Sequence, residues 1–99
     1  MSDFKFISME TRIVRGAKNI VFIYPRITAE ASRSAVEIFS VELDHHELVP
    51  STRADVKPGL NTFELKPAAV VNPGGTYLLT VRHHPSVGEC RDFDLNIEL

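Results

Sequence analysis

The chain contains no tryptophan and a single cysteine, Cys90, in 99 residues. One cysteine cannot close an intramolecular disulfide, which excludes a small disulfide-framed secreted domain. A cytoplasmic or otherwise reducing compartment fits best, with an extracellular or virion module as the alternative if the domain is excised from a larger protein. No apolar run approaches the ~20 residues needed to span a bilayer. The opening Met1 to Lys5 lacks the basic region, apolar core and cleavage site of a signal peptide, so a soluble chain is expected. Charge of one sign is missing too: 11 basic and 13 acidic residues leave a net charge of −2, spread without blocks. That pattern carries neither a nucleic-acid footprint nor a polybasic membrane patch, and neither partner is expected. There is no Gly-rich phosphate loop and no nucleophile elbow. Serine, histidine and aspartate could be combined into a triad on paper, but in no recognised spacing, so no enzyme activity and no cofactor are expected.

What is present is an ordinary globular composition, 43% hydrophobic and 24% charged, in a length that makes one domain over residues 1–99. Short apolar-alternating runs recur, each followed by Gly, Pro, Asn or Asp, which is the rhythm of an all-β chain. Phe4, Phe6 and Ser8 open a first strand on one face, resumed at Ile13 and Val14 after a break. Ile20 to Tyr24 is apolar on both faces and ends at Pro25, as a central strand would. Ser34 to Leu43 places Ala35, Phe39, Val41 and Leu43 on one face, with Glu37 among them. Helical spacing of Ala31, Ala35, Ile38 and Glu42 makes a helix over 29–43 the competing assignment, but the β-branched and aromatic content favours a strand. Glu47 to Pro50 suits a short edge strand because Pro50 gives no ladder donor. The turn at Lys57–Asn61 feeds a strand with Phe63 and Leu65 inward, Tyr77 to Arg82 makes the next, and Arg91 to Leu99 alternates most cleanly. In that last strand Phe93, Leu95, Ile97 and Leu99 face the core, while Asp92, Asp94, Asn96 and Glu98 face water.

The run Val71 to Val81 joins a Pro-Gly turn to a strand led by Tyr77. Val71, Pro73, Gly74 and Tyr77 stand in the register of the corner found in fibronectin type III and related immunoglobulin-like domains, and the run resembles it. In such a corner the tyrosine hydroxyl bonds back to backbone upstream, while the residues two and four positions on enter the core. Leu79 and Val81 occupy those positions. The resemblance implies an all-β, seven-stranded antiparallel immunoglobulin-like β-sandwich, with the first, second and fifth strands facing the fourth, third, sixth and seventh. The usual strand-B tryptophan is missing, and Tyr24 is the substitute.

Two adjacent histidine pairs, His45–His46 and His83–His84, together with Cys90, supply ligand types for zinc or copper. The implied topology puts the pairs at opposite ends of antiparallel strands, more than ~20 Å apart. No metal site is therefore expected, and a metal-binding protein using His83, His84 and Cys90 is an alternative reading. The favoured function is a non-catalytic interaction or structural module that presents the loops 25–34 and 83–89 to a protein partner, such as an accessory module of a bacterial or phage assembly. Its candidate partner-binding residues are Arg26, Glu30, Arg33, His83, His84 and Val87. A carbohydrate-binding module is the other alternative, though it would want exposed aromatic platforms that are scarce here.

Overall fold

A computed structural model describes residues 4–99. Among these, eight strands form two antiparallel four-stranded sheets. The strands are β1 (Phe4–Arg15), β2 (Ile20–Ala31), β3 (Ala35–Leu43), β4 (His46–Val56), β5 (Gly59–Glu64), β6 (Ala68–Val71), β7 (Thr76–His84) and β8 (Arg91–Glu98). One sheet runs β1-β2-β5 with β6 also on β2, and the other runs β4-β3-β7-β8. The segment from Ala29 to Leu43 contains no helix, because Phe39 and Val41 alternate into the core as strand residues.

The two sheets enclose one core. Val21, Ile23, Ile27, Ala29 and Ala31 of β2 share it with Phe39, Val41 and Leu43 of β3, and with Leu79 and Val81 of β7. Every second residue of β2 from Val21 to Ala31 is buried, the period of two that a half-covered strand imposes. The last strand follows expectation: Ile97 and Leu99 are buried, Phe93 and Leu95 half-buried, and the residues between them exposed.

Several boundaries differ from those expected. The first strand is continuous, with a bulge between Phe6 and Ser8. The extra residue, Ile7, reverses the facing of all that follows, so Met9 rather than Ser8 is buried beside Phe4. The second strand does not stop at Pro25 but continues to Ala31. Pro25 is tolerated because the neighbouring strand changes there: Arg26 pairs with Glu64 of β5, and Ile23 with Ala68 of β6. At that changeover the Pro25 carbonyl accepts a hydrogen bond from the Leu65 N–H at 2.9 Å, and no ladder donor is required of Pro25 itself. The edge strand β4 is eleven residues long rather than four, and its register against β3 slips twice around Pro50. β6, paired with Ile20–Ile23 of β2, is a further strand beyond the seven expected. β7 extends past Arg82 to include both His83 and His84.

The corner has the geometry its residues imply. The Tyr77 hydroxyl accepts from the Gly74 N–H at 2.9 Å and donates to the Gly74 carbonyl at 3.1 Å, with Gly75 at φ +102°. Tyr77 is half-buried rather than fully enclosed. Tyr77→Phe is expected to cost about 1 to 2 kcal/mol with the fold retained, because it removes both bonds of one hydroxyl. Urea denaturation measures this, and a midpoint equal to wild type would remove the corner from the account of stability.

Candidate interaction surface

The connections β2–β3, residues 32–34, and β7–β8, residues 85–90, emerge at the same end of the molecule. Between them lies a groove of about 490 Å³ whose wall includes Phe4, Arg33, Glu37, His83, Val87 and Cys90. Val87, at the tip of the longer connection beside Gly88 (φ +100°), is 88% exposed.

Strand alternation decides where each candidate residue points. His83 and His84 are neighbours at the end of β7 and therefore leave opposite faces of the sheet. His83 turns inward and is 3% exposed. Its ring stacks on Phe4 and Phe39, with centroids 4.5 and 5.2 Å away, and Nε2 lies 3.0 Å from the Glu37 carboxylate. His84 turns outward, where Nε2 is 2.8 Å from the hydroxyl of Ser40 and Nδ1 is 3.5 Å from the Cys90 sulfur. Ser40 belongs to the outer face of β3 yet is 2% exposed.

Of the remaining candidates, Arg33 lies in the β2–β3 connection beside the groove. Arg26 and Glu30 are strand residues, because the segment expected as a loop from Pro25 is β2 as far as Ala31. Both are exposed, on the face of the first sheet that looks away from the core. Arg26 there reaches Glu10 across β1 at 3.4 Å. The structure thus brings together Arg33, His83 and Val87, sets His84 on the adjacent outer face, and leaves Arg26 and Glu30 elsewhere.

The two histidine pairs lie level with different ends of β7, His83 and His84 on that strand and His45 and His46 where β4 begins. Leu79 is opposite Leu43, which pairs with His46, whereas His83 is opposite Phe39. Four residues along the strand and two strand spacings across put His46 roughly 16 Å from His83, somewhat less than expected but far beyond a shared metal. Among the described residues no group of three or more His, Cys, Asp or Glu is placed to hold a metal ion. None of their helices is long and apolar enough to cross a membrane.

Two groups at this end were not singled out from the sequence. Alternation puts Glu37 on the inward face, where a carboxylate needs a partner, and the two-residue extension of β7 supplies it in His83. The second is the clamp on Arg82. Asp92 accepts from Arg82 Nε at 2.7 Å and Nη2 at 3.0 Å, and Glu42 accepts from Nη1 at 2.9 Å. Asp94 accepts from the Thr80 hydroxyl at 2.8 Å. The outward carboxylates of β8 therefore tie the edge strand to β7.

Hydrogen bonding from Arg82 holds the Asp92 carboxyl below the ordinary carboxylate range, partly opposed by its own burial. A carboxyl depressed by folding contributes stability that is present above its unfolded value and is lost as pH falls through its folded value. Asp92→Asn is accordingly expected to be less stable at neutral pH and to lose less stability on acidification below about pH 4. Thermal melts from pH 7 to pH 2.5 test the sign, and parallel curves for the two proteins would contradict it.

No family model matches this sequence, and neither does any curated protein.

Proposed function

We propose that this chain is a non-catalytic interaction or structural module of immunoglobulin-like, fibronectin type III-like type, and that it engages a protein partner through the end formed by residues 32–34 and 85–90. The sheet order β1-β2-β5 with β4-β3-β7-β8, and the Tyr77 corner, support that kinship. The observation that carries the surface is Val87. An aliphatic side chain 88% exposed at a loop tip, with Arg33, Glu89 and Arg91 around the groove beneath it, has the make-up of an interface anchor within a polar rim.

The test is capture of a protein by the immobilised wild-type chain, compared with two variants. Arg33→Ser with Val87→Ser should weaken capture on the order of tenfold, the effect of losing an anchor worth more than 1 kcal/mol. Arg26→Ser with Glu30→Ser, on the outer face of the first sheet, should leave it unchanged. Capture that survived the first change and was lost with the second would move the surface to that sheet.

A further inference from the structure

Among the described residues the two sheets present four edges, and three of them are poorly suited to receive another strand. β4 carries Pro50 and slips twice in register, and the β5–β6 rim is interrupted from Leu65 to Pro67. β8 turns Asp92, Asp94 and Glu98 outward, which repels a like strand. The fourth edge is β1, which pairs with β2 on one side only, and beyond its bulge Ser8 to Arg15 runs in unbroken register without proline or glycine. The Pro25 carbonyl is turned away from β1 to the Leu65 N–H, so its opposite number Thr11 turns its own N–H and carbonyl to the free edge. By alternation Met9 and Ile13 do the same. Thr11 has a second unmet need. Its hydroxyl oxygen and that of Thr52 are the two buried side-chain oxygens without a hydrogen-bond partner among the described residues. On the outer face beside Thr11 stand Glu10 and Arg12, both exposed. The Glu10 side chain is 73% exposed even with Arg26 at 3.4 Å, and Arg12 lies over the Tyr24 ring at 4.3 Å.

We infer that β1 pairs with β1 of a second copy of this chain, antiparallel and two-fold symmetric about Thr11, so that the first sheets of two molecules join into one. The edge-facing residues then exchange both backbone hydrogen bonds, Thr11 with Thr11 and Met9 with Ile13 of the second copy. The two Thr11 side chains meet on one face, where a turn about χ1 lets one hydroxyl donate to the other, as facing threonines do between strands. Glu10 stands opposite Arg12 of the second copy, and Arg12 opposite its Glu10. The edge is thus complementary to itself, as a two-fold axis requires. Charge also rejects the neighbouring registers. Moving the axis to Glu10 sets Glu10 against Glu10, and moving it to Arg12 sets Arg12 against Arg12. Ser8 to Arg15 contributes no residue to the groove at the other connections, so copies can pair while that end engages its protein.

Sedimentation velocity on the intact chain, from about 1 to about 200 μM, measures the association, with reductant present so that Cys90 cannot link copies. Wild type should pass from monomer to dimer within that range. Glu10→Arg should raise the dissociation constant about tenfold, because both symmetry-related pairs turn from attraction to repulsion, and Arg12→Glu should do the same. Combining Glu10→Arg with Arg12→Glu sets opposite charges across the axis again and should restore dimerisation. Thr11→Val keeps the shape and removes the hydroxyl. It should weaken the dimer about threefold while leaving the monomer no less stable to urea, since the lost oxygen had no partner within the chain. A wild type that stays monomeric throughout overturns the inference. So does a dimer indifferent to both single charge changes, or a combined variant, folded by circular dichroism, that dimerises no more tightly than either of them. A dimer lost instead with Arg33→Ser and Val87→Ser overturns it as well, and moves self-association to the groove.

Discussion

A Phe39→Ala chain is expected to lose about 3 to 5 kcal/mol of stability, a large part of the 5 to 15 kcal/mol that a domain of this kind possesses. Phe39 has no solvent exposure, and it stands where the two sheets meet. Its ring centroid lies 5.5 Å from Phe63 and 5.7 Å from Phe4 of the facing sheet, 6.0 Å from Phe6, and 5.2 Å from the His83 ring. Truncation removes the transfer free energy of the ring and leaves a cavity whose walls belong to four strands, β1, β3, β5 and β7. Because each wall is fixed by its own ladder, the cavity cannot close by movement of one side chain. Chemical denaturation should show the midpoint falling sharply with little change in the slope. A loss below about 1 kcal/mol would mean that the aromatic cluster does not join the sheets as described.

The second large effect is expected at Glu37. Its carboxylate is the hydrogen-bond partner of His83 Nε2, and the two side chains are 16% and 4% exposed. Glu37→Ala leaves a buried imidazole nitrogen without that partner, at a cost of about 1 to 3 kcal/mol. His83→Phe alone leaves the carboxylate short of a partner and should cost a similar amount. Replacing both, Glu37→Leu with His83→Phe, should be distinctly less destabilising than the sum, since an apolar pair of similar shape has no polar atom to satisfy. A double-mutant cycle gives the coupling directly. Strict additivity would show that the 3.0 Å contact contributes nothing to folding.

Much of the sheet arrangement could be read from the residues. Alternation from Phe93 to Leu99 and from Phe39 to Leu43 assigned faces correctly, because a strand covered on one side admits only a period of two. The Pro-Gly turn and Tyr77 located a corner because a hydroxyl three residues past Gly74 has few places to bond. Less legible were the points where one ladder gives way to another. Pro25 reads as a strand terminator in isolation; it remains inside β2 because its neighbour changes from β5 to β6 at that residue, which no local window contains. The bulge at Ile7 is hidden for the same reason, since the sequence around it alternates acceptably in either facing. These two misreadings moved Arg26 and Glu30 into a loop and Ser8 into the core. The candidate site was legible only in outline: two connections at one end, with Arg33 and Val87 in them. The parting of His83 from His84 follows from alternation once β7 is known to reach residue 84, but the strand's length is set by its pairing with β3. The contact between His84 and Cys90 spans a six-residue connection, and spacing alone does not specify it.

The changeover at Pro25 also shapes the outer rim of its sheet. Between the Arg26–Glu64 and Ile23–Ala68 pairs, three residues on one side, Leu65 to Pro67, face two on the other, Tyr24 and Pro25. The outer rim of that sheet is therefore two short ladders of six and four residues, offset by one and separated by a segment that ends in Pro67, which can donate to no neighbour. A strand arriving from another molecule could lie along β5 or along β6, but it could not continue from one to the other in register. The interruption denies the rim the unbroken row of donors and acceptors on which intermolecular strand stacking is templated, and the exposed Lys66 stands within it.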